Sequence, residues 1–155
     1  MRLWRIGSSL YPVWSSTGAR LKGGRWNLAG TPAIYVAASY ALAALEILVY
    51  ANIGRIPSGF RYVTIDAPDD VRPDHIAPDA VPGWDALPSA PPAITAMAGC
   101  ARDRRWCCWC PPWRLTGLTS VRWINPLHSA FERIEVSDER AVQWDARLVA
   151  GAGRR

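Results

Sequence analysis

Residues 19–50 read ARLKGGRWNLAGTPAIYVAASYALAALEILVY, and three changes of pattern within them decide the architecture. GGRWN (23–27) sets two glycines before Arg-Trp-Asn and predicts a turn, because glycine lets the backbone bend sharply or approach another group closely. IYVA (34–37) is rich in β-branched and aromatic residues and predicts a short strand. SYALAALEILVYAN (39–52) switches to Ala and Leu and predicts a helix with Ser39 as its N-cap.

Working outward, LWRI (3–6) reads as an opening strand followed by a Gly/Ser-rich loop. FRYVTIDAP (60–68) alternates with period two, Tyr62, Thr64 and Asp66 on one side and Val63 and Ile65 on the other, which predicts a strand. Residues 67–92 hold seven prolines and read as an ordered loop or covering segment. From 121 onward VRWINPLH, FERIEV and AVQWDARL predict strands and a turn on the same core. A strand, a helix and then mostly strands make the class α+β, in one domain spanning 1–155.

Composition narrows the function classes. A chain of 155 residues, half apolar and one-fifth charged, can bury a core of its own. It has no apolar run of about 18 residues, which excludes an ordinary transmembrane helix. MRLWRIGSSL lacks the apolar core of a signal peptide, so the expected location is the cytoplasm, with no membrane partner. The net charge of +5 comes from scattered cations. That pattern suits a solvated surface, or one complementary to an acidic protein, better than a track for nucleic acid.

The helix carries a chemical anomaly. Leu42, Leu45 and Val49 predict its apolar stripe, and Glu46 falls inside it. Burying a carboxylate is costly without a partner. Glu46 is therefore either a half-exposed residue at the stripe's edge or an acid presented to a cleft beside a cation. Arg25 is the candidate cation, since a guanidinium forks onto carboxylate or phosphate. The plainer reading puts Arg25 on the surface of a hairpin turn.

Arg20-Leu21, Gly23 to Asn27, Gly30-Thr31-Pro32, Tyr35 and Leu42 to Glu46, followed by INPLHSAFERI (124–134) and WDARL (144–148), resemble in matching order the RES family. These are the toxins of bacterial Xre–RES toxin–antitoxin pairs. The resemblance implies a fold like the ADP-ribosyltransferase toxins, in which a split β-sheet forms a cleft for NAD. It implies breakdown of NAD+ by hydrolysis or phosphorolysis of the nicotinamide–ribose bond. NAD+ is then a substrate, and neither cofactor nor metal is expected. The implied partner is an Xre-type antitoxin, with DNA reached only through it, and a homodimer is compatible with this reading.

The resemblance carries the catalytic set onto Arg25, Glu46 and Tyr35. Breaking the bond builds oxocarbenium-like charge on the ribose, which an ionised Glu46 can stabilise. Arg25 can hold the pyrophosphate or ribose and keep Glu46 ionised. Tyr35 offers a flat face to nicotinamide and a hydroxyl for anchoring. Trp26 and Asn27 are lining or structural residues, and Arg5 is a phosphate ligand or a surface residue. Tyr50 stands where the family often has His, and Ala37 where Ser is common.

RRWCCWCPPWR (104–114) is the departure. With Cys100 it holds all four cysteines. Cys100, Cys107, Cys108 and Cys110 contain no C-x-x-C pair and suit a tetrahedral metal poorly. The family resemblance implies an apolar strand ending in Val-Pro-Ser here, and that Ser is the third residue of the family's name. With Cys as TGC, Trp as TGG, Pro111 as CCT and Pro112 as CCG, a two-base shift turns residues 107–113 into Leu-Leu-Val-Pro-Ser-Val. The expectation is a frame-shifted segment near 99–116 that lacks the Ser, with Ser120 and Ser129 the nearest hydroxyls. Two prolines and several arginines are expected to prevent normal pairing in a sheet interior, leaving marginal stability and weakened catalysis. The alternatives are a catalytically dead RES domain that binds its antitoxin, a protein ADP-ribosyltransferase, and, on the Trp/Cys segment alone, a nucleic-acid module.

Overall fold

The computed structural model describes residues 1–24, 26–50, 58–71, 73–75, 107–110 and 121–148. Its strands are β1 (Arg2–Ser8), β2 (Ile34–Ala37), β3 (Phe60–Asp66), β4 (Asp74–His75), β5 (Cys107–Cys110), β6 (Val121–Ile124), β7 (Glu135–Val136) and β8 (Arg140–Ala141). Among the described residues two α-helices join them, α1 (Thr17–Lys22) and α2 (Tyr40–Tyr50). No helix among the described residues is long and apolar enough to cross a membrane.

Among the described residues the strands form one sheet in the order β4-β5-β6-β2-β1-β3-β7, with β8 also on β3. Its middle is nearly parted. β1 runs in register with β3 along seven pairs, from Arg2 opposite Asp66 to Ser8 opposite Phe60. β2 pairs with β6 from Ile34 opposite Ile124 to Ala37 opposite Val121. Between these halves β1 meets β2 at one registered pair, Trp4 opposite Ala37. This is the split sheet of the expected α+β fold.

Strand alternation supplies the sheet with two apolar faces. Leu3, Ile34, Val36, Val63, Ile65 and Ile124 point to one side and bury against Val13 and Ala130. Each such aliphatic side chain contributes roughly 1.5–3 kcal/mol on full burial. On this side Trp14 stacks on Phe131, ring centres 5.6 Å apart and planes 5° from parallel. Ile6 and Ala37 point to the other side, where Leu42 and Ala43 of α2 cover them.

The helix packs one row away from the expected stripe. Leu42 is buried, but Leu45 is 38% and Val49 40% exposed. Leu42 and Ala43 are buried against the sheet, with the partly buried Ile47 packed beside them. Ser39 caps as expected: its Oγ accepts from Leu42 N at 3.2 Å and its carbonyl from Ala43 N at 3.1 Å.

Other expectations need correction. The Gly/Ser-rich stretch after β1 gives way to α1, one turn and a half of helix closed by Gly23, whose N–H donates to Ala19 O at 2.8 Å and whose φ is +71°. The first three residues of FERIEV belong to a 3-10 turn, Ser129–Arg133, capped by His128 Nδ1, which accepts from Ala130 N at 3.0 Å. The largest correction concerns RRWCCWCPPWR. Cys107–Cys110 does pair inside the sheet, antiparallel to β6 and parallel to β4. The four residues that pair, Cys107–Cys110, include neither a proline nor an arginine. Pro111, Pro112, Cys100 and Ser120 lie outside the described residues.

Candidate active site

The site is built around the turn after α1. Gly24 N donates to Asn27 O at 2.9 Å, closing a small bridge between these two residues. Asn27 is 2% exposed. Its Nδ2 donates to Ala19 O at 2.8 Å, Thr31 O at 2.9 Å and Leu28 O at 3.1 Å. One side chain thereby ties the end of α1 to both limbs of the loop, the compensation a buried amide requires.

Tyr35, on β2, supports the turn from below. Its hydroxyl donates to Asn27 Oδ1 at 2.7 Å and accepts from Trp26 N at 3.1 Å. A Cβ on Gly24 would stand 2.7 Å from that hydroxyl and 2.9 Å from Asn27 Oδ1. Glycine at 24 is thus a requirement of close approach, which the paired glycines signalled. Trp26 is buried beside it. Arg25 lies outside the described residues, between neighbours on either side that are both held by hydrogen bonds.

Arg5 sits where the sheet parts. Its Nε donates to Val13 O at 2.6 Å, Nη2 to Ser15 O at 3.2 Å, and Nη1 crosses to Tyr35 O at 2.9 Å. Desolvation brings its pKa down to about 10, against a smaller raising influence from Tyr35, so it stays charged at neutral pH. Its fork thus links β1, the loop before α1 and β2, the strand that carries Tyr35. Residues 13 to 15 are held from the far end of the chain as well, since Val13 N donates to Glu139 Oε1 at 2.7 Å.

Glu46 is half-buried on α2, and burial raises its pKa above the usual carboxylate value. Glu46 follows the buried Leu42 and Ala43 by about one turn of α2, on the same face of the helix. The helix itself packs across both β1 and β2. Ser129 is exposed in the 3-10 turn. A shallow depression of about 410 Å³ between β3 and β8, lined by Ser9, Phe60, Arg61, Val142 and Trp144 among others, contains none of the expected site residues.

The turn, Tyr35, Asn27 and Arg5 therefore form one connected hydrogen-bonded unit. Sequence reasoning named all of these residues but missed the hub role of Asn27. The signal for it was available, since a buried Asn in a Gly-rich turn can satisfy several carbonyls at once. The reach of Arg5 to residues 13 and 15 left no sequence signal.

Comparison with known proteins places this arrangement. The RES domain model matches residues 2–145. A protein of Sphingobium sp. (strain YBL2) described as "Prs ADP-ribosylating toxin" is 33% identical over 141 residues, covering 89% of this chain and 88% of that protein. A "Toxin Res" of Photorhabdus laumondii is 42% identical over 89 residues, 56% of each chain. Among solved structures, a chain of the M. tuberculosis MbcT–MbcA toxin–antitoxin complex shares the fold, with a TM-score of 0.69 at 18% identity over 91% of this chain and 83% of that one. With the family pattern spanning nearly all of its length, this chain belongs to the RES domain family.

Proposed function

We propose that this protein cleaves the bond between nicotinamide and ribose in NAD+, acting as a toxin restrained by an antitoxin protein of the Xre type. The observation that carries the reading is a half-buried acid, Glu46, on a helix packed across the parted strands, in a chain whose relatives are described as toxins. Nicotinamide leaves with the electron pair of the glycosidic bond, and positive charge grows on the ribose. The ionised Glu46 carboxylate stabilises that charge. A water oxygen then bonds to the ribose carbon and gives up a proton, leaving ADP-ribose; inorganic phosphate in place of water gives the phosphorylated sugar.

Arg25 takes the pyrophosphate in this reading, with the Gly24–Asn27 turn as its mount. Tyr35 contributes its ring face beside the nicotinamide, and its hydroxyl positions the turn. Asn27 and Arg5 act as positioning residues, because their donors are committed to backbone carbonyls. Trp26 supports the turn from within.

A second reading, transfer of ADP-ribose to a protein side chain, is favoured by the description of the Sphingobium relative as an ADP-ribosylating toxin. It shares the bond-breaking step and differs only in the acceptor. Incubating the purified protein with adenosine-labelled NAD+ and cell extract separates the two. Label in free ADP-ribose or its phosphate supports the first, and label retained on protein supports the second. NAD+ that stays intact contradicts both.

A further inference from the structure

β6 and the residue that follows it, Asn125, carry two polar groups that the site described above leaves unused. Trp123 is 1% and Asn125 2% exposed. Among the described residues, neither Trp123 Nε1 nor Asn125 Nδ2 has a hydrogen-bond partner. The amide orientation of Asn125 is fixed, since Oδ1 accepts from Leu127 N at 2.9 Å, so Nδ2 is the end left over. A buried donor without an acceptor lowers stability, and two such donors two residues apart call for an explanation.

Their location supplies one. Trp123 lies directly opposite Tyr35 in the β2–β6 register, and opposite Cys108 on β5. Directly opposed residues share a face of the sheet. Ile34, Val36 and Ile124 point to the other face. The Trp123 indole is thus a sheet neighbour of the Tyr35 ring, and Asn125 comes two residues on, directly after the strand. Both donors are neutral. A neutral carbonyl oxygen satisfies them, whereas a phosphate would bring an anion into a site whose donors carry no charge.

We propose that Trp123 Nε1 and Asn125 Nδ2 form the subsite for a carboxamide oxygen on an aromatic ring, namely that of the nicotinamide group. This rests on the NAD+ reading above. Both atoms are shielded from water, so the oxygen enters with a small local opening as the ring seats against Tyr35.

The test compares binding of NAD+ with binding of its thiocarboxamide analogue, in which a weaker sulfur acceptor replaces this oxygen. Measurements use the full chain, its Trp123→Phe variant and its Asn125→Asp variant. The Asp variant keeps the oxygen that accepts from Leu127 N and removes the free donor. The unmodified protein is expected to prefer NAD+ over the analogue, and Trp123→Phe to lose about tenfold in NAD+ affinity, the worth of one such hydrogen bond. The variant's preference for oxygen over sulfur should shrink by the same factor while its melting temperature holds or rises. Asn125→Asp should show the same loss of preference if the Phe variant does not fold. A variant that binds both compounds as the unmodified chain does, with a raised melting temperature, overturns the subsite while leaving the NAD+ reading intact. Failure of the unmodified chain to bind NAD+ at all overturns both.

Discussion

The Tyr35 hydroxyl donates to Asn27 Oδ1 at 2.7 Å while it accepts from the backbone N–H of Trp26 at 3.1 Å. One oxygen on β2 therefore holds two consecutive residues of the turn, Trp26 and Asn27. This relationship turns a family pattern of conserved-looking letters, GGRWN followed by Tyr, into a mechanical part: a strand-borne post with a turn fastened to it.

Replacing the post tests that description. Tyr35→Phe leaves Asn27 Oδ1 and Trp26 N–H without this partner, and each buried orphan costs about 1–3 kcal/mol. Urea unfolding should show a loss within the sum of these terms, and nicotinamide release should fall as the turn loosens. Unchanged unfolding would show that the hydroxyl does not hold the turn.

Gly24→Ala probes the same contact from the opposite side. The added carbon would meet the Tyr35 hydroxyl at 2.7 Å and Asn27 Oδ1 at 2.9 Å, closer than real contacts allow. The turn must shift, with an expected cost of about 1–3 kcal/mol. Gly18→Ala serves as the control, because its new carbon meets nothing within 4 Å.

Arg5→Lys keeps the charge and removes the fork. A lysine ammonium cannot reach in the same geometry the carbonyls of Val13, Ser15 and Tyr35, which Arg5 meets at 2.6, 3.2 and 2.9 Å. The expected loss is on the order of 3 kcal/mol, since hydrogen bonds to charged groups are the stronger kind. If Arg5 instead served mainly as a phosphate ligand, the variant would fold normally and bind NAD+ poorly.

Glu46 ties stability to pH. Its folded-state pKa lies above the ordinary value of 4.5 because burial disfavours the anion. The folded protein thus holds this proton more tightly than the unfolded chain does, so stability falls as pH rises from the ordinary glutamate range through the raised pKa. Glu46→Gln should flatten that part of the profile. Catalysis moves the other way, rising as the carboxylate ionises.

Much of this was legible in the chain. Ser39, the switch to Ala and Leu, and the alternation of residues 60–66 marked α2 and β3 because each rests on a local rule. The helix face was misjudged because Leu45 and Val49 outrank Ala43 in hydrophobicity, while close packing on the parted sheet selected the smaller side chain. The pairing of Cys107–Cys110 was missed for a related reason. The expectation weighed the two prolines and three arginines of the segment, whereas the four residues described as a strand, Cys107–Cys110, contain none of them. A shifted frame is a proposal about the gene: codons 107–113 should read Leu-Leu-Val-Pro-Ser-Val two bases on, and codons that cannot do so end it.

Nicotinamide release from NAD+ by the purified chain, followed from pH 4 to 8 beside Glu46→Gln, bears most directly on the whole account. Release should climb with pH through the raised Glu46 pKa, and a folded Gln variant should release none. Equal release by both proteins, or none by either while both are folded, would contradict it.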